Sequence, residues 1–335
     1  MSTTPLPAVR LSPLDAAQQA MTHTRQHLFP FRFDRWLALG FVAFLDQCGR
    51  TQAGFGQFPT GTGLPEEVGE RGGPGPVLSE AGAWLAAHVM VVMALAAVAL
   101  VVILCLTALV LWINSRGVFM YVDNVSTGRS DVARPWTEHA DKAGSYFAWS
   151  FGLTVSALTG GIVLLVAAAL VVIRMTRGQG GMPGSIAALV VLVGLLLTLV
   201  IFGMLASMGL RDFVAPLQMK TGLGCGEAVS LFVGLLRAHP GPFAIYVLLK
   251  IVFALVLGFV SLIAACVTCC CALIPVLSQT ILQPAFFFER AWSLHLLRQL
   301  GYDLLPPVVA APVILPSVLP PPDLPKPPSD VPFGT

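Results

Sequence analysis

Residues Trp84 to Ile113 read WLAAHVMVVMALAAVALVVILCLTALVLWI, without one Asp, Glu, Lys or Arg. Crossing a hydrocarbon core of ~30 Å takes about 20 helical residues, so this stretch is long enough to span with some tilt. Ser145–Ile173 and Met182–Leu210 are equally free of charge. The pattern sets the fold class as an all-α integral membrane protein. Six transmembrane helices are expected: Phe31–Gln47, Trp84–Asn114, Ser145–Ile173, Gly184–Leu210, Pro242–Val267 and Ala272–Phe288. The first is the weakest of the six: it is short, carries Arg32, Asp34 and Arg35 at its entrance, and has a re-entrant segment as its alternative. Pro275 and Pro284 fall inside the sixth and are expected to kink it, because neighbouring helices can satisfy the freed carbonyls.

Composition agrees. Hydrophobic residues make up 56% of the chain and charged ones 11%, against ~25% charged in soluble domains. A net charge of +2 gives nucleic-acid binding no electrostatic basis. The first forty residues, with Pro5, Pro7, Asp15, His23, Arg25 and Pro30, show no apolar core of a signal peptide. Lys and Arg set the orientation. With both termini cytoplasmic, 14 of them face inward and four, Arg50, Arg71, Arg174 and Arg177, face outward. A multi-pass protein of the cytoplasmic (inner) membrane is expected.

Weak internal similarity suggests three units. Aligning Asp15, Asp131 and Glu227 brings Phe31, Phe147 and Phe243 into one register. Each unit reads as a short segment, a Pro or Gly break, an aromatic entry and a helical hairpin. Arg116-Gly117-Val118-Phe119 and Arg211-Asp212-Phe213-Val214 echo one another at the exits, and the third exit is Glu289-Arg290-Ala291-Trp292. The segments before the hairpins look amphipathic and interfacial. Leu14, Ala17 and Met21 share a face of the first, and Gly226–His239 is apolar but too short to cross. It lies on the inner leaflet or packs under the bundle. The domain division is 1–30, a cytoplasmic segment with an interfacial helix; 31–303, the transmembrane bundle; and 304–335, a Pro-rich disordered tail.

The run Phe29-Pro30-Phe31-Arg32-Phe33-Asp34-Arg35-Trp36-Leu37-Ala38-Leu39-Gly40 resembles the entry segment of an uncharacterised bacterial and archaeal family of polytopic membrane proteins. Val132-Ala133-Arg134-Pro135-Trp136 and Phe288-Glu289-Arg290-Ala291-Trp292-Ser293-Leu294 carry the same resemblance, which covers roughly residues 11–303. That family is distantly similar to the membrane domains attached to some glycerophosphodiester phosphodiesterases. The phosphodiesterase catalytic domain has no counterpart in this chain. The resemblance implies a fold and no activity.

Cys266, Cys269, Cys270 and Cys271 form a C-x-x-C-C-C cluster. Thiolates at that spacing can bind zinc or cycle as a dithiol. A structural zinc site pairs two such elements, only one is present, and an apolar setting leaves thiols inert, so packing is the first reading. Cys48 faces the same side and could pair with the cluster. Lys250 is the one basic residue well inside a span, which makes it a functional candidate by default. Asp46 is its only obvious acidic counterpart, at the far end of the first span, so snorkelling of the Lys stem is the preferred account. His23 and His27 sit at helical spacing without an evident third ligand. No Ser/His/Asp set, carboxylate pair or phosphate loop appears, and no cofactor is implied. Membrane lipids are the expected partners. The tail offers Pro322-x-x-Pro325 to a protein partner or is inert.

The expected function is that of a non-enzymatic structural or accessory membrane module. The alternatives are a small-molecule or lipid transporter, resting on the repeat and Lys250, and an outward-facing thiol redox protein.

Overall fold

The computed structural model describes residues 11–48, 87–178, 181–267 and 275–305. Among these residues the secondary structure is entirely helical. Ser12 caps α1 (Pro13–Leu28) by accepting from the Asp15 N–H at 3.2 Å, with Pro13 pre-set for the first turn. Phe29 and Pro30 separate α1 from α2 (Phe33–Gln47). Helix α3 (Val89–Thr127) stops at Gly128, whose φ of 67° is left-handed. Then follow α4 (Ala133–Glu138), α5 (Ala140–Thr176) and α6 (Met182–Gly209). A five-residue π turn, Leu210–Val214, joins α6 to α7 (Ala215–Thr221). The remaining helices are α8 (Cys225–Ala238), α9 (Pro240–Val267), α10 (Pro275–Ile281) and α11 (Gln283–Gln299).

Among the described residues, four stretches are long and apolar enough to cross a membrane: Val89–Thr127, Ala140–Thr176, Met182–Thr221 and Pro240–Ala264. Their most apolar windows are almost wholly unburied within the protein. These are the helices of a membrane protein, and they account for four of the six expected spans. The other two differ. Helix α2 is 15 residues long, short of the about 20 that a crossing needs. It runs antiparallel to the second half of α3 rather than alone through lipid: Arg35 donates to the Gly128 carbonyl, and Asn114 donates to the carbonyls of Leu45 (3.2 Å) and Asp46 (2.5 Å). The described part of the expected sixth span is two helices, α10 and α11. Pro275 opens one, and Pro284 lies in the first turn of the other, so both prolines start helices where kinks were expected.

The buried side chains gather at one end of the four long helices. They come from α3 beyond Leu111, from Ala143 and Tyr146 at the start of α5, from the π turn after α6, and from Phe243 and Tyr246 at the start of α9. Helix α11 is the hub, with every residue from Arg290 to Leu297 buried. Helix α1 lies against it through Pro13, Ala16, Ala20, Thr24 and Leu28. Trp292 Nε1 donates to the Pro13 carbonyl at 2.9 Å, and Gln299 pairs with both backbone groups of Ser12. Leu14 and Met21 stay exposed, while Ala17, which shares their face, is partly buried. Helix α8 sits under the bundle, burying Cys225 and Ala228 and stacking Phe232 on Phe213 at 5.1 Å.

Candidate functional site: a buried ion-pair clamp

The last turn of α2 places Asp46 where α3 has no side chain. A Cβ on Gly117 would lie 2.3 Å from the Leu45 carbonyl carbon and 2.5 Å from the Asp46 nitrogen, so only glycine admits this approach. The π turn is wider than an α turn. Two of its residues, Arg211 and Asp212, are both buried, at 4% and 2% side-chain exposure. The first turns of α9 contribute Tyr246 and Lys250, and α11 contributes Glu289 and Arg290.

These groups form one cluster. Asp46, fully buried, accepts from Arg211 Nε at 3.2 and 3.1 Å and also from its Nη2. Arg290 Nη2 reaches the same carboxylate at 2.6 Å, and its Nη1 donates to the Arg211 carbonyl at 2.7 Å. Arg211 Nη1 meets Glu289 at 3.1 Å, and Lys250 Nζ meets the same oxygen at 3.1 Å. Lys250 also donates to Asp212, which accepts from the Tyr246 hydroxyl at 3.1 Å. Arg290 lies over the Tyr121 ring, whose hydroxyl accepts from Gln283 at 3.1 Å. Among the described residues, Arg211, Lys250 and Arg290 are matched by Asp46, Asp212 and Glu289, so that this part of the cluster carries no formal net charge. Charges taken out of water persist only when paired and hydrogen-bonded, as these are.

Lys250 therefore does not snorkel. Two acids share its depth, and its side chain is 11% exposed. Asp46, expected as its counterpart, pairs instead with the two arginines. The rest of the cluster is hidden in the sequence, where Arg211 and Arg290 look like ordinary cations at the ends of spans. The available signal was the adjacency of opposite charges, Arg211-Asp212 and Glu289-Arg290, beside apolar runs.

Of the cysteine cluster, Cys266 lies exposed near the end of α9, and Cys269, Cys270 and Cys271 lie outside the described residues. Cys225 is buried, and burial pushes its thiol up to about 12, well away from a reactive thiolate. No group of three His, Cys, Asp or Glu among the described residues is arranged to hold a metal.

His23 and His27 of α1 meet His295 of α11, with ring centroids 4.3 Å apart within α1 and 5.5 Å between His23 and His295. His23 Nε2 lies 2.9 Å from the Val125 carbonyl, and neither ring nitrogen of buried His295 has a hydrogen-bond partner among the described residues. Burial, then the neighbouring His23, holds His27 and His295 down to about 4. Burial lowers His23 as well. An imidazole whose folded value lies below its unfolded one binds a proton more readily when unfolded, so stability falls as pH drops from ~6.5 toward 4. The unfolding temperature in detergent should decline across that window, and His295→Leu should flatten the decline. An unchanged pH profile in that variant would exclude His295 as a contributor.

The class defined by these features is a helical membrane protein whose spans are joined at one end by a buried, neutral ion-pair cluster. The chain belongs to the family of unknown function DUF7544, whose sequence model matches residues 11–319, past the expected boundary at residue 303. No curated protein matches it, and no solved structure does.

Proposed function

We propose that this protein is a non-enzymatic structural module of the inner membrane, in which the ion-pair cluster clamps the ends of the spans at the cytoplasmic face. The observation that carries this reading is the cluster's charge balance. Among the described residues, three cations and three carboxylates satisfy one another, with no charge of the cluster left over to capture a substrate. In the connections 114–145 and 210–242, at the clamp end of the four long helices, there are seven Lys and Arg, against two, Arg174 and Arg177, in the connection at the other end; this bias supports a clamp on the cytoplasmic side. The unburied faces of the long helices are available to lipids and to partner proteins. The echo of Arg116-Gly117, Arg211-Asp212 and Glu289-Arg290 supports three related units, and the Pro-rich tail gives a further contact for a protein partner.

A transporter is the second reading. It is favoured by the partial exposure of Lys250 and Glu289, at 11% and 14%, beside members at 4% or less. One experiment separates the two. Lys250→Met leaves the cluster with one net negative charge and should lower the unfolding temperature and weaken any phenotype of a deletion strain. Lys250→Met combined with Glu289→Gln restores neutrality. A clamp predicts that the double variant regains both stability and phenotype. A stable double variant without the phenotype would overturn the clamp and favour a transport pathway through Lys250.

A further inference from the structure

We propose that Arg116 binds a phosphate group at the membrane boundary, of the kind a glycerophospholipid headgroup presents. Arg116 stands on α3 just past Ile113, where the charge-free run gives way to Asn114 and Ser115. Its guanidinium lies 5.4 Å from the centre of the Trp112 ring and 5.5 Å from that of Trp136. Nη1 donates to the Trp136 carbonyl at 2.8 Å. The two indoles and this bond hold the guanidinium in place. The rest of its five-donor fork has no partner among the described residues, and no carboxylate there pairs with it.

The two related exits show what is missing. Arg211 is followed by Asp212, Arg290 is preceded by Glu289, and both arginines end on Asp46. At the first exit the residue after the arginine is Gly117, kept free of a side chain by the close passage of Leu45 and Asp46. That exit has a cation and no acid beside it. Arg116 is half-buried, and a cation so placed is stabilised by an anion. Trp112, 40% exposed, and Trp136 are side chains suited to the headgroup level. The abundant anion at that level is lipid phosphate, whose oxygens match the guanidinium fork in two parallel hydrogen bonds. Free phosphate presents the same oxygens, so the source has to be separated by experiment. Arg116 takes no part in the clamp, and the inference stands independently of the proposed function.

The test uses the full-length chain in detergent, with native mass spectrometry after addition of phosphatidylglycerol or of diacylglycerol with the same acyl chains. Phosphatidylglycerol should be retained and diacylglycerol should not. Arg116→Gln should reduce the phosphatidylglycerol adduct about tenfold. Arg116→Lys keeps the charge but loses the planar fork, and should also bind less. Displacement by millimolar inorganic phosphate would assign the site to free phosphate, and retention in its presence would assign it to the lipid. Equal retention of phosphatidylglycerol by the parent and Arg116→Gln proteins would overturn the proposal. If the Gln variant does not fold, equal retention by Arg116→Lys would do the same.

Discussion

Asp46→Asn should destabilise the protein more than any other single charge removal in the clamp. The carboxylate is fully buried and shared by Arg211 and Arg290, so its loss leaves two guanidinium groups inside the protein with one acid fewer. Removing one partner of a buried ion pair costs about 3–5 kcal/mol, because the remaining charge stays out of water. The apparent unfolding temperature in detergent should fall by roughly 10 °C. Adding Arg290→Met brings the cluster back to neutrality and should recover part of the loss, so the two substitutions should be strongly non-additive. Thermal unfolding of the two single variants and the double variant measures the coupling. A shift of less than about 2 °C for Asp46→Asn would mean that the two arginines do not depend on this carboxylate.

Gly117→Ala should have an effect of similar size, although it adds one methyl group. The new Cβ would meet the Leu45 carbonyl carbon at 2.3 Å, the Asp46 nitrogen at 2.5 Å and the Leu45 Cβ at 2.7 Å. Two of the three obstacles are backbone atoms and cannot rotate aside. Helix α2 would have to move off α3 and draw Asp46 away from both arginines. Overpacking usually costs about 1–3 kcal/mol, and the linked loss of the Asp46 pairs should put this variant at or above the upper end. Gly144→Ala is the control. Nothing among the described residues lies within 4 Å of its Cβ position in α5, so the better helix propensity of alanine should leave stability unchanged or raise it by up to about 1 kcal/mol. Equal unfolding temperatures for the two variants would contradict the close approach of α2 to α3.

The helical membrane class was legible because hydrophobic runs are a local signal. A stretch such as Met182–Leu210 carries its own evidence. Two of the expected spans are not among the four long apolar stretches of the described residues, and the first of them shows why. Phe31–Gln47 is apolar because one face packs on α3 and α10, and Phe33, Leu37 and Phe41 are exposed on another. Apolar composition does not distinguish that from a crossing helix. The clamp was illegible because its members lie far apart in sequence: Asp46 is 165 residues from Arg211 and 244 from Arg290. Lys250 stood out because it lies inside an apolar run. Its partners Asp212, in the π turn, and Glu289, in the second turn of α11, lie beyond the charge-free runs, where charges are ordinarily read as solvated.

The same separation imposes an order on biosynthesis. Ribosomes add about 5–20 residues per second, so Arg290 is synthesised roughly 10–50 s after Asp46. During that interval Asp46 has Arg211 available only after most of the delay has passed, and Glu289 and Arg290 do not yet exist. The nascent chain must hold an incomplete set of charges at the membrane until its final helix emerges. A product that stops before α11 loses the hub of the buried core along with two members of the clamp. Nonsense alleles that stop translation ahead of α11 should therefore behave as complete losses, cleared by membrane proteolysis rather than retained as shortened proteins.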